Sequence, residues 1–105
     1  MREPTFLILT SLAAGPRHGY GIITDVERIS GGGLRLRAGT LYAALDRLTG
    51  DGLVEPQREE IVDGRLRRYY AITDEGVARL AAEAARLRRN AEAAEARLRL
   101  AGGPA

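Results

Sequence analysis

The dipeptide Asp63-Gly64, within LVEPQREEIVDGRLRRYYAIT (residues 53–73), constrains the fold more than any other feature of the chain. Asp-Gly is typical of a two-residue turn between antiparallel strands. A turn at this point places opposite charges across from each other, which favours this register. The predicted pairs are Ile61 with Leu66, Glu60 with Arg67, and Glu59 with Arg68. The stretch therefore predicts a long hairpin, charged near its tip and apolar at its base, with Leu66, Tyr70 and Ile72 on one face.

Two short helices are predicted earlier in the chain. The first begins at Pro4, a residue that suits the first turn of a helix, and ends in AGPRHG, residues 14–19. The second runs from about His18 to Ser30, where three glycines stop it. Apolar residues recur on one face of each helix. They are Phe6, Leu9 and Leu12 in the first helix, and Ile22, Val26 and Ile29 in the second.

A third helix is predicted in RAGTLYAALDRLTGDGLV, residues 37–54, and ends at Gly50 and Gly52. The alternating LRLR at residues 34–37, just before it, predicts one short strand. Three leucines recur at helical spacing and are expected to face the first two helices: Leu41, Leu45 and Leu48. Four residues are left on the outward face: Thr40, Tyr42, Ala43 and Arg47.

Three helices, a short strand and a long charged hairpin indicate a winged helix-turn-helix, which is an α+β fold that is mostly α. The third helix would fit the major groove of DNA. On its outward face, Thr40 and Tyr42 offer hydroxyl groups to phosphate oxygens. Ala43 is small enough to touch a thymine methyl group, and Arg47 reaches a guanine edge or a phosphate. At the hairpin tip, the position beside Gly64 places an arginine against an adjacent groove or the DNA backbone.

The arginine beside Gly64 at the hairpin tip is Arg65, which is the first candidate in the hairpin for contact with DNA. Arg67 is the second candidate. Purely structural alternatives stay open for several candidates. Arg67 could instead pair with a glutamate across the hairpin, Tyr42 could pack on the second helix, and Arg47 could pair with Asp51 one turn later. The single histidine, His18, is interpreted as a helix-start or packing residue, because no second ligand lies near it.

A fourth helix is predicted to begin at Thr73 or Asp74, either of which is able to cap it. Apolar residues then recur at alternating spacings of three and four, which is typical of a seam between paired helices. The predicted dimer interface is Leu80, Ala84, Leu87, Ala91, Ala94 and Leu98. The part near Val77 and Leu80 is expected to fold back on its own domain. We therefore expect a DNA-binding domain at residues 1–73, a dimerisation helix at 74–101 and a disordered tail at 102–105.

Composition excludes several function classes. The chain of 105 residues has no cysteine and one histidine, so it offers neither a thiolate site nor a histidine-rich metal site. No glycine-rich loop leads from a strand to a helix, and we expect neither an enzyme nor a cofactor. The apolar start is too short and broken for a signal peptide or a membrane span, so a cytoplasmic protein is expected. All 16 basic residues are arginine, although the net charge is only +2; a genomic bias toward arginine codons would explain this as well as phosphate binding.

The sequence resembles the PadR family of bacterial transcriptional regulators over roughly residues 4–80. The resemblance lies in HGYGI (18–22), AGTLYAALDRLTGDGLV (38–54) and RRYYAITDEG (67–76), in this order. It implies a winged helix followed by a C-terminal helix that forms a two-fold dimer. Members usually repress nearby genes, and small aromatic or cationic compounds release them.

Residue by residue, the resemblance assigns Thr40 and Tyr42 to DNA-facing positions of the recognition helix. It places Tyr20 near the DNA backbone, and Gly64 and Arg65 at the wing tip. Some short members hold flat drugs between tryptophans at the dimer interface. This chain has no tryptophan, so such a drug-stacking pocket is not expected.

The sequence thus predicts a homodimeric repressor that binds double-stranded DNA at an inverted-repeat operator. Arg37, Arg47 and Arg65 are expected to surround the groove-facing surface. Release by a small hydrophobic or aromatic effector stays open. The alternative is a winged-helix module that only associates with other proteins.

Overall fold

The computed structural model describes residues 1–102 and contains four helices and a small antiparallel sheet. Its elements, in chain order, are α1 (Glu3–Ala13), β1 (Arg17–His18), α2 (Gly19–Ile29), α3 (Ala38–Gly50), β2 (Val54–Val62), β3 (Arg65–Ile72) and α4 (Asp74–Gly102). This order confirms the predicted winged helix-turn-helix with an additional C-terminal helix.

The core lies where α1, α2 and α3 meet the base of the hairpin. Leu41, Leu45 and Leu48 of α3 are buried, as their spacing predicted. They pack with apolar residues of the other elements: Ile8, Leu9, Leu12, Ile22, Val26, Leu53, Val54 and Tyr70. Because α3 places its leucines inward, its opposite face is left to solvent.

The hairpin has the predicted register. Glu60 lies opposite Arg67, and Glu59 opposite Arg68. Asp63 and Gly64 have φ values of 52° and 74°, the left-handed conformation that a tight two-residue hairpin turn requires. The pairing of β2 with β3 is irregular between Pro56 and Glu59. The sheet order is β1-β3-β2, so β2 forms one outer edge.

Two sequence-based expectations about strands and faces were wrong. Residues 34–37 form no strand; they are an extended loop whose Leu36 is buried in the core and has no neighbouring strand. The third strand is instead β1, which pairs with Tyr69 and Tyr70 of β3. Ile29 lies at the end of α2, beyond the core, and is 44% exposed.

Leu66 also differs from the prediction that grouped it with the apolar base of the hairpin. It lies past the end of the helical core, close to the hairpin tip, and is 60% exposed, whereas Tyr70 on the same strand is buried. The predicted charged tip is therefore accompanied by one exposed apolar pair, Ile61 and Leu66, which face each other across the strands.

Helix α4 begins where predicted, and Thr73 is its cap. The Thr73 hydroxyl accepts a hydrogen bond from the Gly76 N–H at 3.0 Å and donates one to the Gly52 carbonyl at 2.7 Å. Leu80 packs against the core, but Val77 is half exposed and does not. The helix continues through Gly102, which was expected to lie in the tail; residues 103–105 of that tail lie outside the described residues.

Candidate nucleic-acid interface

The exposed face of α3 carries the four side chains that the sequence predicted to point outward. Thr40, Tyr42, Ala43 and Arg47 are all exposed. Arg37 precedes the helix with an extended backbone, and its side chain makes no capping hydrogen bond. The first N–H groups of α3 therefore lack a side-chain acceptor, and such groups bind phosphate readily.

One groove separates residues 65–68 of β3, which lie beyond the part paired with β1, from the start of α2, and we call it the wing cleft. It is lined by His18, Gly19, Tyr20, Tyr42 and residues 65–68. The cleft brings together four predicted site residues that lie on three different elements: Tyr20, Tyr42, Arg65 and Arg67. Tyr20 is 74% exposed, so its phenol is free to contact a ligand.

Tyr42 lies across the start of α2. A Cβ atom built on Gly19 would overlap the Tyr42 hydroxyl oxygen and would lie 2.9 Å from Tyr42 Cζ. The packing alternative for Tyr42 is thus observed, yet 40% of the residue stays exposed toward the wing cleft. Contact between its hydroxyl and a phosphate stays a prediction.

A second groove runs along the other side of α3, between α3 and the start of α1, and we call it the α1–α3 groove. It contains three more predicted residues: Thr40, Ala43 and Arg47. Arg2 and Thr5 of the α1 region lie in the same groove. Arg37 and Gly64 line neither of the two grooves.

The hairpin forms one of the two ion pairs that its register allows. Arg68 pairs with Glu59 at 3.2 Å, but Glu60 accepts a hydrogen bond from the Tyr69 hydroxyl at 3.1 Å. Within residues 1–102, no ion pair involves Arg67, and none joins Arg47 to Asp51. The guanidinium groups of Arg47 and Arg67 are therefore available to an external anion.

His18 holds the start of α2 and touches the hairpin. Its Nδ1 accepts a hydrogen bond from the Gly21 N–H at 3.2 Å, and its ring meets the Tyr69 ring edge-on with centroids 5.4 Å apart. Burial lowers the pKa of His18 from its ordinary value of 6.5; Arg67 lowers it further, and Glu60 opposes the shift. A neutral ring with Nδ1 as acceptor is the form that caps the helix, which agrees with the helix-start interpretation.

A charged groove on each side of an exposed helix, in a winged-helix frame, is consistent with the resemblance found in the sequence. Comparison with known proteins decides the matter, because residues 8–82 match the Transcriptional regulator PadR-like family. The chain belongs to this family.

Its relatives in sequence include a transcriptional regulator. This PadR-like chain is 40% identical over 73 residues to a transcriptional regulator of Mycobacterium tuberculosis, covering 70% of this chain and 64% of that protein. The chain spans between 20% and 68% of the length of the curated relatives that it matches.

Two solved structures show the same fold. A PadR family regulator from Clostridium difficile is 24% identical, with a TM-score of 0.77 over 92% of this chain and 99% of that one. Bacillus subtilis PadR, solved in complex with operator DNA, is 26% identical, with a TM-score of 0.66 over 76% of this chain and 46% of that one. Among residues 1–102 of our PadR-like chain, no helix is both long and apolar enough to cross a bilayer.

Sequence reasoning missed Arg2, Thr5 and Arg58 near these surfaces. Arg58 lies over the Tyr69 ring, with its guanidinium carbon 4.3 Å from the ring centroid, and so supports the back of the hairpin. Arg2 and Thr5 carried no local signal, because they approach α3 only after α1 folds against it.

Proposed function

We propose that this PadR-like protein binds DNA sequence-specifically as a homodimer and represses transcription from an inverted-repeat operator. The observation that carries the proposal is the unpartnered face of α3, which lies between two arginine-bearing grooves. Bacillus subtilis PadR, a structural relative, was solved with operator DNA, which supports DNA as the partner. Acting on chromosomal DNA would place the protein in the cytoplasm.

In the proposed complex, α3 enters the major groove and the hairpin reaches the neighbouring groove. Thr40, Ala43 and Arg47 would meet base edges or the phosphates beside them. The DNA backbone between the major groove and the neighbouring DNA groove would lie in the wing cleft of the protein. The walls of this cleft carry Tyr20, Tyr42, Arg65 and Arg67. Arg37 would contact the backbone at the start of α3, and Gly64 would let the wing tip approach closely.

The proposed dimer uses the exposed C-terminal part of α4, of which Leu87 also lines a groove with Phe6 and Leu7 of α1. Residues 85–102 are exposed throughout, and Leu98 is 68% exposed. Burying one such leucine contributes about 2 kcal/mol, and the alanines between the leucines let two helices approach closely. Ala84, Leu87, Ala91, Ala94 and Leu98 would form the seam, while Leu80, already packed on its own core, would contribute at its edge.

Two-fold pairing through α4 would present two recognition helices to one face of the duplex. Half-sites would then lie about one helical turn, or ~34 Å, apart. A small hydrophobic or aromatic effector would fit the groove between α1 and α4, lined by Phe6, Leu7 and Leu87. Because this groove adjoins the proposed seam, a ligand there would alter the spacing of the half-sites.

Selection from random duplexes with the full chain tests the proposal. We expect an inverted repeat to be enriched, and the chain to bind it at least about 10³-fold more tightly than scrambled DNA. A Thr40→Ala, Arg47→Ala double variant should lose most of this preference. Failure to enrich any sequence with folded protein would reject the proposal and favour a winged-helix module that only associates with proteins.

A further inference from the structure

The α1–α3 groove has a composition that suits a bound phosphate. Two arginines and two threonines line it: Arg2, Arg47, Thr5 and Thr40. The remaining lining residues are glycine or apolar, and none is a carboxylate. A phosphate in this groove would meet guanidinium and hydroxyl donors without a repelling charge.

The two arginines are not committed elsewhere among residues 1–102. Four other arginines form ion pairs there: Arg17, Arg35, Arg68 and Arg86. Arg2 and Arg47 take part in none of them. Since an arginine without a carboxylate partner keeps its full charge for an external anion, the groove retains two positive charges.

Comparison with a neighbouring groove indicates which of the two grooves would bind the phosphate. Arg2 and Arg47 also line that groove, together with Arg79, but Asp51 lies in it as well. The Asp51 carboxylate repels a phosphate there and attracts the arginines of its own surface. The α1–α3 groove, which contains Thr40 and no carboxylate, is therefore the better phosphate site.

We infer that the start of α1 is a further DNA-contacting element, in which Arg2 and Thr5 bind a backbone phosphate beside the base pairs covered by α3. This inference rests on the proposed function, since α3 must first lie on DNA. Thr40 and Arg47 belong both to the recognition face and to this groove, so the groove is continuous with the proposed interface. The phosphate would be held from α1 on one side and from α3 on the other.

Salt-dependent binding of Arg2→Ala to the selected operator tests the inference. Each phosphate contact contributes about 0.9 to the slope of log affinity against log salt, so a dimer lacking both Arg2 side chains should lose about 1.8. Affinity for scrambled DNA should fall by the same factor as affinity for the operator, because a phosphate contact carries no sequence information. Arg2→Lys should keep most of the slope.

Arg89→Ala is the matched control, because it removes the same charge from an exposed position on α4, on the side away from the proposed seam. Its slope should stay near that of the unaltered protein. If Arg2→Ala and Arg89→Ala give equal slopes while the unaltered protein binds its operator, α1 does not contact DNA and the inference is wrong. If the unaltered protein binds no operator, the proposed function itself has failed. Thermal unfolding of both variants identifies any loss of fold.

Discussion

The contact between Gly19 and Tyr42 leads to the prediction that alanine at position 19 does not give the stabilisation that it usually gives in a helix. Gly19 has an ordinary helical backbone, since its φ is not positive. Alanine in place of helical glycine usually stabilises a protein by about 0.5–1 kcal/mol. At this position, however, the new Cβ would lie 2.9 Å from Tyr42 Cζ, and carbon atoms prefer separations of about 3.5–4.0 Å.

The Tyr42 ring must then move by roughly 0.5–1 Å. Only the end of this side chain is in the way and 40% of the residue is exposed, so the shift costs less than overpacking of a core, about 1 kcal/mol. This cost offsets the usual gain, so we expect Gly19→Ala to leave the free energy of unfolding within about 0.5 kcal/mol of that of the unaltered protein. In a Tyr42→Ala background the obstacle is gone, so the same substitution should raise the free energy of unfolding by about 0.5–1 kcal/mol. Urea denaturation of the four proteins in this double-mutant cycle measures the coupling.

Gly21→Ala serves as the control on the same helix. Its Cβ would lie 3.6 Å from His18 Cε1, which is an ordinary contact. The substitution should therefore stabilise the protein equally with and without the Tyr42 side chain. Equal effects of Gly19→Ala in the two backgrounds would refute the reasoning, because Tyr42 would then not occupy the space above Gly19.

Three further predictions concern pH, assembly and readout. Burial lowers the pKa of His18 below 6.5, so the unfolded chain binds the proton first as the pH falls. The free energy of unfolding should therefore decrease below pH 6.5. Urea denaturation at several pH values measures this decrease, which the His18→Asn variant should lack. Leu87→Asp with Leu98→Asp should yield a monomer by analytical ultracentrifugation and weaken operator binding more than any single arginine substitution; a normal dimer would contradict the proposed seam. In fluorescence anisotropy, Arg65→Ala should weaken operator and random-DNA binding alike. If Thr40 contacts a base edge, Thr40→Ala should weaken operator binding more than random-DNA binding, and equal losses would assign Thr40 to phosphate contact alone.

The hairpin and the inner face of α3 were predictable because their signals are local. The Asp63-Gly64 turn and the charges that follow it on each strand define one register, which the structure has. Leucines at helical spacing likewise define which face of α3 is buried. The outward face follows from this without knowledge of the tertiary contacts.

The remaining errors concern segments whose structure depends on contacts with residues that are distant in the sequence. Residues 34–37 alternate as a strand would, but a strand needs a neighbour, and β3 is joined by Arg17–His18 instead. Two residues are too few to give a periodic signal. Arg2 reaches the α1–α3 groove only through the packing of α1, so no spacing in the sequence indicates it.

The irregular pairing of β2 has a consequence for solubility. An outer strand exposes unpaired N–H and C=O groups, which invite other chains to add strands and aggregate. Pro56 has no N–H to offer, the ladder is interrupted before Glu59, and the exposed stretch carries Glu55 and Arg58. A second hairpin therefore finds no continuous edge to extend. We therefore expect the exposed apolar side chains close to the wing tip to be compatible with a sheet that does not polymerise through this edge.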